Sequence, residues 1–196
     1  MKKYLTVPNM SRIAILAALG AVLMLFDFPI FVAPSFYKLD FSEAIVLLGT
    51  FALGPVSGVL IELLKILINL LLNGTVTMYI GELSNFILGI VFILPAGIIY
   101  NHFHNKKGAY ASMIISTIFL VIAGSLINAY ILIPVYAKIY GIDINQIFLL
   151  GNKSTLLSFV LLCVVPFNLI KGILNSLITA FLYKKISFII KNFRNK

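Results

Sequence analysis

The sequence predicts an all-α integral membrane protein, a bundle of about six transmembrane helices with both termini in the cytoplasm, and three observations carry that prediction. Of the 196 residues, 61% are hydrophobic and only 11% are charged, whereas soluble domains carry roughly 45–50% apolar and about 25% charged residues. Apolar runs follow one another, most of them near the ~20 residues that a helix needs to cross the hydrocarbon core. The Lys and Arg behind the net charge of +9 stand mostly between those runs or at the termini. Placed there they set topology and make no continuous basic face for nucleic acid.

Helix 1 is expected over 11–32, with Pro34 closing it. Its basic and then apolar start resembles a signal peptide. No A-x-A-like cleavage site follows directly and more spans come after, so it reads as a retained helix. The loop 33–42 is aromatic and polar, with Phe36, Tyr37, Lys38, Asp40 and Phe41. A short helix 2 over 43–53 ends at Gly54-Pro55, and helix 3 follows over 56–72. Asn73-Gly74 turns the chain into helix 4 over 78–103, and a basic loop carries His102, His104, Lys106 and Lys107. Helix 5 is expected over 109–136, bent near its end by Pro134. A longer loop over 137–155 leads to helix 6 over 156–190. There is no repeat or linker, so residues 1–196 read as a single transmembrane domain.

Orientation follows from counting cations. With six spans, one side holds Lys2, Lys3, Arg12, Lys106, Lys107, Lys184, Lys185, Lys191, Arg194 and Lys196, and the other only Lys38, Lys138 and Lys153. The richer side is cytoplasmic. Lys65 and Lys171 fall inside apolar runs and belong to neither count.

A charge near the bilayer centre costs at least about 2.5–3.5 kcal/mol, so each one needs a reason. At 100° per residue, Asn168, Lys171 and Asn175 share a face of helix 6. Glu82, Asn85, Gly89 and Phe92 form a similar stripe on helix 4, and Gly124, Ser125 and Asn128 another on helix 5. Asn85, Asn128 and Asn168 lie roughly 9–15 Å below the outer surface. Three stripes at one depth predict a pocket open to the outside, although single amides can equally serve as interhelical glue. The pocket offers amides, a cation and a carboxylate but no nucleophile–base pair. It suits a neutral or weakly charged solute, with the loop 36–41 as its cover. Glu62, Lys65 and Asn69 share a face of helix 3, where Glu62 and Lys65 can neutralise each other structurally.

On helix 1, Ala14, Ala17, Ala18 and Ala21 make a smooth stripe. It fits either close packing inside the bundle or docking of another membrane protein. Other residues carry no chemistry. Cys163 is the only cysteine and reads as core. His102 and His104 are spaced poorly for a metal and read as solvated. Gly151-Asn152-Lys153-Ser154-Thr155 lacks the spacing of a phosphate loop. Uphill transport would need an ion gradient or a separate energising partner.

The chain resembles the substrate-binding S components of energy-coupling factor (ECF) vitamin transporters, most closely the riboflavin-specific ones. The resemblance covers nearly the whole chain. It rests on the alanine stripe, Tyr37-Lys38-Leu39-Asp40-Phe41-Ser42, Phe51-Ala52-Leu53-Gly54-Pro55, Gly58-Val59-Leu60-Ile61-Glu62, Gly81-Glu82-Leu83-Ser84-Asn85-Phe86 and Pro166-Phe167-Asn168-Leu169-Ile170-Lys171-Gly172. The Phe-Ala-Leu-Gly-Pro and Pro-Phe-Asn-Leu-Ile-Lys-Gly segments are the most specific.

The resemblance implies a multi-pass cell-membrane protein, not an enzyme, that takes riboflavin from outside as transported ligand and has no cofactor or metal. It implies partners as well: a transmembrane coupling subunit, docked on the alanine stripe, and two ATPase subunits. By the match, Asn128, Asn168 and Lys171 are ligand contacts, joined by Leu39, Asp40, Phe41, Glu82, Asn85 and Tyr130. Tyr130 is about 160° from Asn128 on a regular helix, so both line one pocket only if helix 5 is deeply embedded or bent. Alternative readings are an S component for another vitamin or a flavin nucleotide, and a self-sufficient ion-coupled carrier relaying through Glu62, Lys65 and Glu82. A membrane enzyme is a third, but Asp27, Asp40 and Asp143 lack catalytic spacing.

Overall fold

A computed structural model of the chain describes residues 6–30, 34, 37–75 and 77–194, with the stretch 186–194 described through its backbone alone. Lys2, Lys3, Phe36, Lys196 and the side chains of Lys191 and Arg194, used in the charge count and in the aromatic loop, lie outside the described residues.

The described chain is nearly all helical. In order come α1 (Val7–Met24), a two-residue hairpin pair β1 (Phe28–Pro29) and β2 (Lys38–Leu39), α2 (Ser42–Leu53), α3 (Pro55–Asn73) and α4 (Ile80–His102). Then follow α5 (Lys106–Ile127), a π-helical turn (Asn128–Leu132), α6 (Ile133–Tyr140) and α7 (Ile144–Leu150). The last elements are α8 (Leu156–Phe159), a second π-helical turn (Val160–Val164) and α9 (Val165–Arg194). Five helices are long and apolar enough to cross a membrane: α1, α3, α4, the continuous segment Lys106–Tyr140, and Leu156–Lys185. The protein is therefore a multi-pass membrane helical bundle.

α2 has only 12 residues, short of the ~20 that span a bilayer. It packs against α1, α3, α4 and α9, and so forms the centre of the bundle. Phe51, Leu47 and Val46 from α2 meet Ile61 of α3 and Phe92 and Ile93 of α4 in the main apolar core. Gly54 makes the sharp turn out of α2 with φ at 94°, a region that favours glycine. Pro55 then opens α3 in the first turn, where its missing N–H costs nothing. A Cβ at Gly58 would collide with Thr50 Oγ1, so glycine lets α3 fold back tightly on α2.

The expected helix 1 is corrected: it begins at Val7 and stops at Met24. Phe28–Pro29 leaves helical geometry to pair antiparallel with Lys38–Leu39. Lys38 Nζ lies 3.0 Å from Asp27 and fastens the hairpin. The expected long loop 137–155 is also corrected. α6 reaches Tyr140, and Asp143 caps α7 by accepting from the backbone N–H of Asn145 at 2.7 Å. Ile147 and Phe148 of α7 pack on Phe159, Cys163 and Val164, so Cys163 is core as expected.

Each π-helical turn stops two residues before a proline, Pro134 or Pro166. Proline lacks an N–H and clashes with the carbonyl four residues back, and widening the helix by one residue relieves both. These turns change the face that each helix presents next to the asparagines Asn128 and Asn168.

Candidate functional site

One end of the helix bundle holds a cavity of about 340 Å³. Its wall is built from the hairpin residues Asp27, Tyr37 and Lys38, the α3 end at Asn69 and Asn73, the turn at Thr77, Glu82 and Asn85 of α4, Asn128, Tyr136, and Phe167, Asn168 and Lys171 of α9. Glu82 stands at the start of α4 and His102 at its end, about 30 Å apart along the axis. The cavity therefore lies at the opposite end of the bundle from the exposed Lys106 and Lys107.

Asn168 is only 1% exposed. Its Nδ2 donates to the Val164 carbonyl at 3.0 Å, one turn back, which fixes the amide orientation. Its Oδ1 is buried without a hydrogen-bond donor. Gly124 of α5 makes room for it, since a Cβ there would sit 2.9 Å from Asn168 Nδ2. An unpaired buried amide oxygen costs about 1–3 kcal/mol, which a donor from a bound solute would offset. Asn69 Nδ2 is a second buried atom left without a partner on the same cavity.

Asn128 is satisfied internally. Its Nδ2 donates to the Gly124 carbonyl at 2.7 Å, and its Oδ1 accepts from the Tyr37 hydroxyl at 2.6 Å. Tyr37 is wedged against Phe167, with ring centroids 5.2 Å apart. Burial, helped by Tyr136 and Cys163, pushes its phenol well above the ordinary range, so it stays a donor.

Lys171 donates to Asn85 Oδ1 at 3.3 Å and faces Asp40 Oδ2 at 3.5 Å. Asp40 lies behind Lys171, at the start of α2. Burial alone would raise its carboxyl. The charges of Lys171 and then Lys65, with the hydroxyl and backbone N–H of Ser42, outweigh that and hold it below the usual carboxylate range. Glu82 accepts from Thr75 at 3.1 Å and Thr77 at 3.2 Å, so the turn before α4 holds the carboxylate at the rim.

Of the residues expected at the site, Glu82, Asn85, Asn128, Asn168 and Lys171 line this one cavity. Asp40 backs it through Lys171. Leu39 is fully buried and Phe41 half-buried, its ring 5.8 Å from Phe28, and neither is part of the wall. Tyr130 requires a correction: it is 74% exposed and points away from the cavity, because the π-helical turn does not rotate it inward. Asn175 serves structure instead, accepting from the Ala44 N–H at 3.0 Å and donating to the Asp40 carbonyl at 3.1 Å. Gly89 and Phe92 continue the α4 stripe into the core, and Ser125 bonds its own helix at Val121.

The alanine stripe divides. Ala17 and Ala21 are fully buried against the bundle, so they are corrected from docking to packing residues, while Ala14 and Ala18 stay exposed on the outer face of α1. The contiguous stripe is turned so that one edge meets α2 and α3.

Sequence reasoning did not place Asp27, Asn69, Thr77 or Tyr136 on the cavity wall. Asn69 had a signal, since it follows Lys65 by one turn on the polar face of α3. The others depend on how loops fold over the bundle.

The family model of the ECF transporter, substrate-specific component, matches residues 9–183. A Staphylococcus aureus protein named riboflavin transporter RibU is 34% identical, the alignment covering 91% of this chain and 90% of that one. Riboflavin transporter FmnP of Bacillus subtilis is 27% identical, over 89% of each chain. A solved structure described as the S component of a bacterial ECF transporter is similar with a TM-score of 0.73 and 34% identity, covering 93% of this chain and 96% of that one.

Proposed function

Because the chain belongs to the family of ECF transporter substrate-specific components, we propose that it binds riboflavin from the outer face of the membrane and delivers it inward together with an energising module. That module would be a transmembrane coupling subunit and two ATPase subunits. The chain is a transport subunit and not an enzyme. The observation that carries the reading is the cavity lined by Asn168, whose buried Oδ1 accepts no hydrogen bond from the protein.

Riboflavin suits that wall. Its flat three-ring system can lie against apolar and aromatic side chains such as Leu88, Leu132 and Phe167. Its pyrimidine edge presents a ring N–H for Asn168 Oδ1. Its ribityl hydroxyls can share Lys171, Asn85 and Glu82. Asp40 supports the contact through Lys171, and Asn128 acts with Tyr37.

In this reading residues 1–196 act as one substrate-binding domain, and α2 counts with the five long helices as a sixth pass. Both termini then lie in the cytoplasm. The exposed Lys106, Lys107, Lys184 and Lys185 support that orientation, and the cavity opens outward. Titration of the purified chain with riboflavin should quench flavin fluorescence at micromolar concentration or below. A colourless preparation that gives no quenching contradicts the assignment. Uptake by this chain alone in liposomes, abolished by an uncoupler, would make it an ion-coupled carrier instead.

Ala14 and Ala18 are the part of the stripe left for a partner helix. Ala14→Arg and Ala18→Arg should abolish riboflavin uptake in cells that supply the coupling module. Binding by the purified variants should stay within about twofold of the parent, a free-energy change of roughly 0.4 kcal/mol. Loss of binding as well would place these two residues in the bundle's structural core.

A further inference from the structure

Below the cavity lies a cluster of five charged side chains, all buried: Asp40, Glu43, Glu62, Lys65 and Lys171. Lys65 Nζ of α3 stands 2.9 Å from Glu43 Oε1 of α2 and 2.8 Å from Glu62 Oε2 of its own helix. Lys171 Nζ of α9 stands 3.5 Å from Asp40 Oδ2. Three carboxyl groups therefore share two ammonium groups. With every group ionised, one negative charge is left over at membrane depth. A buried carboxylate without a counter-ion or hydrogen bonds of its own takes up a proton rather than bear the desolvation cost.

Hydrogen bonding distinguishes the three carboxyls. Asp40 accepts from the backbone N–H and the hydroxyl of Ser42 and faces Lys171. Glu43 accepts a well-directed hydrogen bond from Lys65 at 2.9 Å. Glu62 is 0% exposed and pairs with Lys65 through Oε2 at 2.8 Å, but neither of its oxygens meets hydrogen-bonding geometry, whereas Glu43 leaves only Oε2 without a donor. Oε1 points at α4, where a Cβ on Gly89 would collide with it. On the other flank, a Cβ on Gly20 of α1 would lie 3.2 Å from Lys65 Cδ. Among the described residues no group of three or more His, Cys, Asp or Glu side chains is placed to hold a metal ion.

We propose that Glu62 is the binding site of one resident proton, held as a neutral carboxylic acid inside the bundle. Lys65 with Glu43 and Lys171 with Asp40 then remain as two balanced pairs. Among the described residues, the charged groups around Glu62 are Glu43 from α2, Lys65 from α3 and Lys171 from α9. α1 and α4 present Gly20 and Gly89 to the cluster, and Glu82 is held two turns away at the rim by Thr75 and Thr77. The proton makes the cavity floor electrically neutral, which suits an uncharged solute.

Infrared spectroscopy of the purified chain in lipid nanodiscs at neutral pH tests this. The parent should show a carboxylic-acid C=O stretch, separate from the carboxylate bands, and Glu62→Gln should lose it. Because the amide mimics the neutral acid, Glu62→Gln should keep the folded yield and melting midpoint of the parent. A parent spectrum without the band overturns the proposal, and so does a band that persists in Glu62→Gln. Failure of Glu62→Gln to fold overturns it too, since that would mean the ionised form is required. A band that appears only when sodium is replaced by choline would assign the position to a cation and overturn it equally.

Discussion

Lys65→Met should remove nearly all of the monodisperse folded protein recovered in detergent. Lys65 is 1% exposed and lies against two carboxyl groups, Glu43 at 2.9 Å and Glu62 at 2.8 Å. Deleting one partner of a buried ion pair costs about 3–5 kcal/mol, because the remaining charge has neither solvent nor counter-ion. That is a large part of the roughly 5–15 kcal/mol that holds a typical domain together. The loss should be specific to charge. Adding Glu43→Gln to Lys65→Met removes the stranded carboxylate and should restore most of the yield, measured by size-exclusion chromatography. A Lys65→Met single variant as stable as the parent would mean that this cluster does not hold α2 and α3 together.

Asn168→Leu should separate stability from binding. Asn168 Oδ1 accepts no hydrogen bond within the protein, and Nδ2 bonds only a carbonyl of its own helix. Leucine of similar size removes an unpaired polar atom, so the melting midpoint should hold or rise. Riboflavin would then lose a buried acceptor, worth about 1–3 kcal/mol or roughly 5–150-fold in dissociation constant. The fluorescence titration measures the second effect and a thermal-shift assay the first. Unchanged affinity would remove Asn168 from the binding site.

Local patterns made much of this legible in the sequence. Apolar runs gave the long helices, Gly54-Pro55 the break between α2 and α3, and the i, i+3 spacing the Glu62–Lys65 pair. Helical periodicity also brought Asn85, Asn128, Asn168 and Lys171 to one cavity. What periodicity could not supply was contact between residues distant in sequence. Glu43 meets Lys65 across two helices, and Tyr37 reaches Asn128 from the hairpin, 91 positions away.

Regular arithmetic also failed where the helices are irregular. The π-helical turn at Asn128–Leu132 breaks the 100° rule around the site, and Tyr130 is on the outside of it. α1 stops before the apolar residues 25–30 that read as helix, because Phe28–Pro29 pairs with Lys38–Leu39 instead. The alanines were readable as a stripe, but which edge of it faced the bundle depended on where α2 and α3 packed.

The most direct measurement is a crystal structure of the chain with riboflavin bound. The ring system should lie beside Phe167, with its pyrimidine N–H within hydrogen-bonding distance of Asn168 Oδ1. Flavin density elsewhere on the bundle, with the space between Asn85, Asn128 and Asn168 still empty, would contradict the account.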